Sequence, residues 1–182
     1  MIGPAFESVL GMARGGDEEA FATLWRDLNP AVVRYLRLAA PEAAEDLASE
    51  TWLEVVRALG RFAGDERGFR AWVFTIARSR MLDWRRRMAR GPAAPMAPEE
   101  LPEQVAPDDP ATTALESDAT RRALALIARL PADQAEVVML RVVAGLDVAE
   151  VAQIVGKRPG TVRALSHLGL RRLVELSAMP MT

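Results

Sequence analysis

The residues of this sequence with the clearest capacity for chemistry lie in one segment, 147–173, with the sequence DVAEVAQIVGKRPGTVRALSHLGLRRL. Apolar residues at helical spacing, including Val151 and Val155, surround the small Ala152 and are followed by Gly156. Two helices that cross closely at a tight turn need a small residue at their contact and glycine at the bend. The segment therefore predicts a helix-turn-helix, which places its second helix in the major groove of duplex DNA.

The second helix of this motif carries the side chains that would contact DNA. Val162 and Leu165 are spaced to anchor it, and no acidic residue lies between Lys157 and Arg172. Basic side chains bind phosphates, and the first residues of such a helix contact base edges. A helical hairpin with a solvated basic face would show the same spacing and stays the alternative. The candidate DNA contacts are Arg158, Thr161, Arg163, His167, Arg171 and Arg172.

A second candidate segment, 69–87, combines aromatic residues with arginines in the sequence FRAWVFTIARSRMLDWRRR. Six arginines lie between Arg78 and Arg90, where Asp83 is the only acid. Aromatic rings stack on unpaired bases and guanidinium groups hold the backbone, the combination that binds single-stranded nucleic acid. For the arginines we favour this interpretation over a solvated face. For the aromatic residues we favour burial, with a core formed by Phe69, Trp72, Val73 and Ile76.

A third segment, 44–55, places acidic residues on a helix that also carries Trp52, which we expect to be half-buried. Paired carboxylates could support acid–base chemistry or a metal ion. No histidine or cysteine lies nearby, and the chain has no second helix with the Glu-x-x-His pattern of di-metal sites. The segment therefore predicts a solvated or partner-binding face.

Composition argues against most catalytic chemistry. The chain of 182 residues has no cysteine, and its single histidine, His167, cannot form a His-rich metal site. No nucleophile and base stand in a recognisable pattern, so we expect neither an enzyme nor a cofactor.

No apolar run approaches the ~20 residues of a membrane span, and the first residues lack the pattern of a secretory signal. The expected location is the cytoplasm.

Charge divides the chain into three parts. Residues 1–90 carry 14 arginines and 13 acids, residues 91–120 carry no base and seven acids, and residues 121–182 carry nine bases and five acids. Residues 91–111 also hold six prolines and no helical stripe. Such a segment is a semi-extended linker that spans several tens of ångströms at ~3 Å per residue. We therefore expect two small domains, 1–90 and 112–182, joined by the acidic linker 91–111.

The remaining patterns predict an all-α fold. Apolar residues recur at helical spacing throughout both domains, and no strand–helix–strand pattern or glycine-rich phosphate loop occurs. Asn29 and Pro30 resemble a helix cap and a first helical residue, so a helix boundary is expected there. The predicted helices are 17–29, 30–40, 42–62, 69–90, 112–130, 132–143, 147–155 and 159–176.

Three stretches together resemble one known family. They are AEDLASETWLEVV, FRAWVFTIARSRMLDWRRR and LPADQAEVVMLRVVAGLDVAEVAQIVGKRPGTVRALSHLGLRRL. Their order and spacing are similar to those of the extracytoplasmic-function (ECF) sigma factors, compact members of the sigma-seventy family of bacterial transcription initiation factors. The resemblance covers about 17–90 and 112–176, with the first domain similar to sigma-two and the second to sigma-four.

The resemblance implies a role for each group of candidate residues. Its implied partners are core RNA polymerase and promoter DNA, with an anti-sigma protein as a further family expectation, and the linker would thread through the polymerase. Asp46, Glu50, Leu53 and Glu54 would dock on the polymerase clamp. Asp65, Arg67, Arg78, Ser79, Arg80, Trp84 and Arg85 would face the minus-ten element, with the loop 64–68 helping to capture a flipped base. Arg158, Thr161, Arg163, Ala164, His167 and Arg171 would contact the minus-thirty-five element.

The sequence departs from the family at three positions, two of them among the candidate residues. Family members usually have asparagine where Ser79 stands, and often a serine or threonine cap where Arg158 stands. Leu168 occupies a position often held by arginine, so one phosphate contact is expected to be missing. These departures bear on the two DNA-contacting helices and leave the acidic helix untouched.

The competing function is a free-standing transcriptional regulator with the same helix-turn-helix. Such a protein would bind its operator tightly without a partner, and the arginine-rich helix of the first domain would have no role in it. The chain has an isoelectric point near 5.6 and a net charge of -2. Because affinity for DNA grows with the number of phosphates neutralised, we expect weak binding to duplex DNA without a partner.

Overall fold

The computed structural model of the chain describes residues 1–90 and 117–178. These residues form two small helical domains and contain no β-strand, which confirms the all-α, two-domain fold expected from the sequence. The N-terminal domain contains α1 (Phe6–Arg14), α2 (Glu18–Ala39), α3 (Ala44–Ala58) and α4 (Glu66–Ala89). The C-terminal domain contains α5 (Asp118–Ile127), α6 (Ala132–Val138), α7 (Val148–Val155) and α8 (Pro159–Ala178). The linker predicted over 91–111 lies outside the described residues, as does the predicted helix start at Thr112.

The N-terminal domain is a bundle in which α2 packs against α1, α3 and α4. Apolar residues three or four positions apart give each helix one continuous apolar stripe, and burying these stripes against each other stabilises the bundle. On α2 the stripe is Leu24, Leu28, Val32 and Leu36, on α3 Leu47 and Val55, and on α4 Val73 and Ala77.

The helix boundary predicted at Asn29 and Pro30 is wrong, because α2 runs without a break from Glu18 to Ala39. The Asn29 side chain does not cap a helix: it is buried, and its Oδ1 accepts a hydrogen bond from Trp52 Nε1 at 3.0 Å. Pro30 lacks an N–H and so removes one hydrogen bond of the helix. The buried stripe continues on both sides of Pro30, and this tertiary packing keeps the helix intact.

The sequence analysis missed α1, although Phe6, Leu10 and Ala13 are buried at helical spacing. The Phe6 ring packs on Phe69 of α4, with centroids 5.7 Å apart. Arg14 at the end of α1 donates hydrogen bonds to the carbonyls of Leu59, at 3.3 Å, and Phe62. The α1 helix therefore holds the segment that leads into α4.

The start of α4 lies three residues before the predicted start at Phe69. Asp65 caps the helix, because its Oδ1 accepts the N–H of Gly68 at 2.8 Å. Just before it, Gly64 adopts φ +156°, and a Cβ there would lie 3.0 Å from the Phe62 ring. The loop ahead of α4 is consequently shorter and more closely packed than the sequence suggested.

The helix-turn-helix predicted in the C-terminal domain is confirmed by α7, the turn and α8. Asp147 and Glu150 form a reciprocal capping box at the start of α7. Gly156 ends α7 with φ +67°, a left-handed conformation that glycine adopts without strain. Val162 of α8 is fully buried beneath the turn. These local features fix the direction of α8 relative to α7.

Candidate nucleic-acid interface

The helix α8 presents the predicted duplex-contacting residues on its exposed surface. Arg163, Ala164, His167 and Arg171 share one exposed face, since they lie at positions i, i+1, i+4 and i+8. The opposite face, with Val162 and Gly169, is buried against the domain. Arg158 and Thr161 are exposed at the N-terminal end of the helix. The structure therefore brings all six predicted residues to the accessible part of α8.

The basic side chains of this surface are largely free of carboxylates. Within residues 1–90 and 117–178, neither Arg158 nor Arg163 has an ion-pair partner. Arg171 lies 3.7 Å from Glu175, one helical turn away, and both side chains are well exposed. An exposed pair of this kind contributes little energy. The guanidinium groups of α8 are thus available to phosphates or base edges.

The helix α4 places its arginines differently. Arg67, Arg70, Arg78 and Arg85 recur at helical spacing along one stripe, which we call the arginine stripe of α4. This stripe faces the C-terminal domain, since Arg67 contacts residues of α7 and Arg78 contacts a residue of α6. The two basic helices therefore have opposite environments.

The first contact of the stripe joins Arg67 to the capping box of α7. An Arg67 terminal nitrogen lies 2.9 Å from Asp147 Oδ2, and Arg67 Nε lies 3.6 Å from Glu150 Oε1. The backbone N–H of Glu150 lowers the pKa of Asp147, with smaller effects of the Ala149 N–H and the Arg67 guanidinium. Asp147 is thus held as an anion facing the stripe.

The second contact is centred on Glu136 of α6. Its Oε1 accepts hydrogen bonds from Arg78 Nε and from the Tyr35 hydroxyl, both at 2.9 Å. Tyr35 is buried, and burial together with the adjacent Glu136 carboxylate raises the pKa of Tyr35 well above its ordinary range. Arg70 adds a weaker hydrogen bond to the Ala144 carbonyl at 3.4 Å. Sequence analysis singled out none of Tyr35, Glu136 and Ala144.

The seven residues assigned to the minus-ten element do not share one face. Arg67, Arg78 and Arg85 lie on the arginine stripe, whereas Ser79 is exposed to solvent on another side. Arg80 faces α3, where it lies 3.1 Å from Glu54 Oε2, and Trp84 is half-buried against the core. Asp65 caps α4 through its carboxylate.

The aromatic residues of α4 mostly belong to the core, as expected. Phe69 and Val73 are fully buried, while Trp72 is half-buried and stacks on Phe62 with ring centroids 5.0 Å apart. Ile76 is also half-buried. The expected burial of this group is confirmed for Phe69 and Val73 and is partial for the other two.

The acidic helix α3 divides its candidate residues between two faces. Asp46 and Leu53 are exposed, and the exposed Val56 extends their surface. Glu50 and Glu54 instead face arginines of α4, with Glu50 lying 4.0 Å from Arg87.

The expectation that Trp52 would be half-buried is wrong, since only 5% of it is exposed. Its indole N–H is satisfied by Asn29, and the edge of its ring meets Phe21 with centroids 5.9 Å apart. Trp52 therefore joins α3 to α2 from inside the bundle.

No helix in the described part of the chain is long and apolar enough to cross a membrane. Those same residues contain no group of three His, Cys, Asp or Glu side chains able to hold a metal ion.

Comparison with known proteins gives consistent matches to both domains. Residues 19–91 match the family model described as Sigma-70 region 2, and residues 120–173 match Sigma-70, region 4. The ECF RNA polymerase sigma factor SigD of Mycobacterium tuberculosis is 36% identical over 180 residues, which cover 95% of this chain and 84% of SigD. The ECF RNA polymerase sigma factor ShbA of Streptomyces griseus is 37% identical over 173 residues, covering 89% and 90%.

Solved structures with the same fold cover most of the chain. CnrH, in complex with the cytosolic domain of CnrY, matches with a TM-score of 0.64 and 23% identity over 97% of this chain and 99% of CnrH. The sigma factor RpoE of Bartonella quintana, in complex with the anti-sigma factor NepR, matches with a TM-score of 0.63 and 22% identity over 88% and 98%. At these identities the likeness concerns the fold.

Proposed function

The chain belongs to the extracytoplasmic-function group of the sigma-70 family, and from this membership we propose that it binds core RNA polymerase and directs promoter-specific transcription initiation. The observation that carries the proposal is the exposed basic face of α8 on a complete helix-turn-helix, where Arg163 has no ion-pair partner among the described residues. Such a face recognises duplex DNA through the major groove.

The two domains bind different elements of the promoter. The C-terminal domain, 112–182, binds the minus-thirty-five element as a duplex through Arg158, Thr161, Arg163, Ala164, His167 and Arg171. The N-terminal domain, 1–90, binds the minus-ten element through Asp65, Arg67, Arg78, Ser79, Arg80, Trp84 and Arg85. Duplex recognition suits a helix with a continuous polar face, and holding a melted strand suits arginines beside aromatic rings.

The polymerase-binding surface is the exposed side of α3. Asp46 and Leu53 present a carboxylate and an apolar side chain there, a mixture that suits a protein partner. Glu50 and Glu54 lie at the edge of this surface, where their ion pairs with α4 hold them in place. Docking through α3 leaves the outer face of α8 free for the promoter.

A requirement for the polymerase follows from charge. The net charge of -2 and the acids of the linker 91–111 oppose the approach of free DNA. The polymerase supplies the remaining phosphate contacts, so the chain acts as a non-catalytic specificity subunit in the cytoplasm. An anti-sigma protein is a further proposed partner.

A gel-shift experiment with promoter DNA tests this function. The chain with core RNA polymerase should shift the promoter fragment specifically, and the chain alone should not. In-vitro transcription from the same fragment should begin at one defined site only when both are present. Failure to associate with core polymerase, or association without start-site selection, would overturn the proposal. Tight specific binding by the chain alone would favour the free-standing regulator instead.

A further inference from the structure

The segment that leads from α3 into α4 is fastened to α1 by one arginine. Arg14 is the last residue of α1, and its guanidinium group donates to the carbonyls of Leu59, at 3.3 Å, and of Phe62. The Leu59 carbonyl also accepts the N–H of Phe62 at 3.2 Å, so Arg14 binds both ends of this turn. Because the donors of a guanidinium group are fixed in one plane, the two carbonyls bound by Arg14 keep a fixed spacing.

A carboxylate fastens the other end of the same segment. Glu66 is the first residue of α4, and its two carboxylate oxygens accept the backbone N–H groups of Ile2 and of Gly3, the latter at 2.9 Å. Hydrogen bonds to an ionised carboxylate are stronger than those between neutral groups. Although Glu66 lies in the loop 64–68, its carboxylate is therefore directed at protein donors that precede α1 and not at DNA.

Both contacts lead to the core of the N-terminal domain, since α1 is itself firmly packed. Phe6 and Leu10 of α1 are buried, and the Phe6 ring lies against Phe69 of α4. Arg14 and Glu66 thus connect the two ends of the loop to one buried helix. We call these two residues the loop anchors.

Between the loop anchors lies a turn of three exposed residues, 63–65. The Phe62 ring supports this turn from behind: it stacks on Trp72, with centroids 5.0 Å apart, and a Cβ at Gly64 would lie 3.0 Å from it. A short turn that is held at both ends has few alternative shapes, so little ordering is needed when it binds a ligand. The same rigidity limits its ability to adapt to a ligand of another shape.

We propose that Arg14 and Glu66 are positioning residues for promoter selectivity, because they set the shape in which the turn 63–65 captures a flipped base of the minus-ten element. The inference rests on the proposed function, since it takes the loop ahead of α4 as the part that captures this base. Neither loop anchor needs to contact DNA. Loosening the turn should let it accept other bases, which lowers the discrimination between bases at that one position.

Amide hydrogen exchange of the full chain measures the loop anchors without DNA or polymerase. Arg14→Ala should speed exchange in residues 60–66 by about two- to tenfold, the factor that a hydrogen bond contributes to a local opening equilibrium. Glu66→Ala should do the same, and exchange in α8 should not change. Arg26→Ala is the matched control, because it also removes an exposed arginine but one that pairs with Glu19 of its own helix.

Transcription with core RNA polymerase measures the effect on base selection. The template is the promoter fragment of the gel-shift experiment, with its minus-ten region randomised and a barcode in its transcribed part. In Arg14→Ala and Glu66→Ala, the preference for the favoured base over the next should fall by about two- to tenfold at one position, by the same relation. A purely structural role would lower transcription from every template by one common factor and leave this ratio unchanged.

The possible outcomes separate the steps of the inference. Unchanged exchange in both Arg14→Ala and Glu66→Ala would overturn the anchoring. Faster exchange with unchanged base preferences would overturn the role in selectivity, even though transcription itself supports the proposed function. Absence of specific transcription by the unmodified chain would overturn the proposed function and the selectivity role with it. Circular dichroism checks folding, and Arg14→Lys, which keeps the charge but not the planar donor group, carries the test if Arg14→Ala does not fold.

Discussion

The two basic helices of this protein, α4 and α8, carry similar side chains in opposite circumstances. On α4, Arg67 and Arg78 are paired with carboxylates of the other domain and Arg80 with Glu54 of α3. On α8, Arg158 and Arg163 have no ion-pair partner within the described residues. The helix assigned to the melted strand is covered, and the helix assigned to duplex DNA is open.

This difference follows from how each helix is buried. The α4 helix lies between α2, α3 and the C-terminal domain, so most of its circumference has a protein neighbour. The α8 helix packs with one side only, through Val162 and Gly169. Substitutions on α4 should therefore disturb stability and function together, whereas those on the outer face of α8 should disturb function alone.

The largest effect is expected from Phe74→Ala on the buried side of α4. Phe74 is fully buried and meets the Tyr35 ring edge-on, with centroids 5.7 Å apart. Removing a buried phenylalanine side chain costs about 3–5 kcal/mol. Denaturant unfolding followed by circular dichroism measures this loss. Leu170→Ala on α8 is the control, since Leu170 is 43% exposed, and an equal loss there would contradict the comparison.

A smaller loss is expected from Gly169→Ala at the buried side of α8. A Cβ at this position would lie 2.7 Å from Cγ2 of the buried Val138, so one of the two must shift. Overpacking costs about 1–3 kcal/mol, of which the better helix propensity of alanine recovers up to about 1 kcal/mol. Thermal unfolding measures the net loss.

Two further variants isolate the cause of that loss. Gly160→Ala has no atom within 4 Å of its new Cβ and should leave stability unchanged or raise it slightly through helix propensity. Adding Val138→Ala to Gly169→Ala removes the clash. The double variant should therefore lose less unfolding free energy than the sum of the losses of the two single variants. If the stability losses of the two single variants simply add, the close approach of α8 to α6 is not the cause of the loss in Gly169→Ala.

The outer face of α8 should change recognition without changing stability. Arg163→Ala removes an exposed guanidinium that has no ion-pair partner in the described part of the chain, and we expect promoter binding by the complex with core polymerase to weaken by about 1–3 kcal/mol. In-vitro transcription across altered minus-thirty-five elements shows whether the loss depends on one base pair. An equal loss of transcription with every altered minus-thirty-five element would instead identify a phosphate contact. Arg122→Ala on α5, exposed in the same domain, should leave transcription unchanged.

The sequence predicted what depends on local chemistry. Gly156, the small Ala152 and the apolar spacing around Val162 all act within a few residues, so the helix-turn-helix could be inferred from them. The same holds for the exposed face of α8, since the spacing of Val162 and Leu165 marks the side that packs on the domain.

Features that depend on distant parts of the chain could not be inferred. Arg78 and Glu136 are 58 residues apart in sequence, and nothing local to either residue specifies the other. Pro30 and Asn29 gave a misleading local signal, because Trp52, 23 residues away from Asn29, uses the asparagine side chain. At Asn29 and Pro30 tertiary packing overrides a local pattern, whereas the Arg78–Glu136 contact has no local pattern at all.

The smallest expected effect concerns the pH dependence of the stability that the Tyr35–Glu136 hydrogen bond contributes. Neutral Tyr35 donates to Glu136, and its pKa is raised by burial, so this contact stabilises the native protein fully below the unfolded value of about 10. Above that pH the Tyr35 hydroxyl loses its proton in the unfolded chain before it does so in the folded protein. The contribution of the contact to stability therefore declines as the pH rises towards the pKa of folded Tyr35. Tyr35→Phe should therefore be less stable than the unmodified protein by about 1 kcal/mol at pH 8, with a difference that shrinks above pH 10. Unfolding measured from pH 8 to 11 gives the two curves, and parallel curves would show that the hydroxyl does not contribute to the contact between the domains.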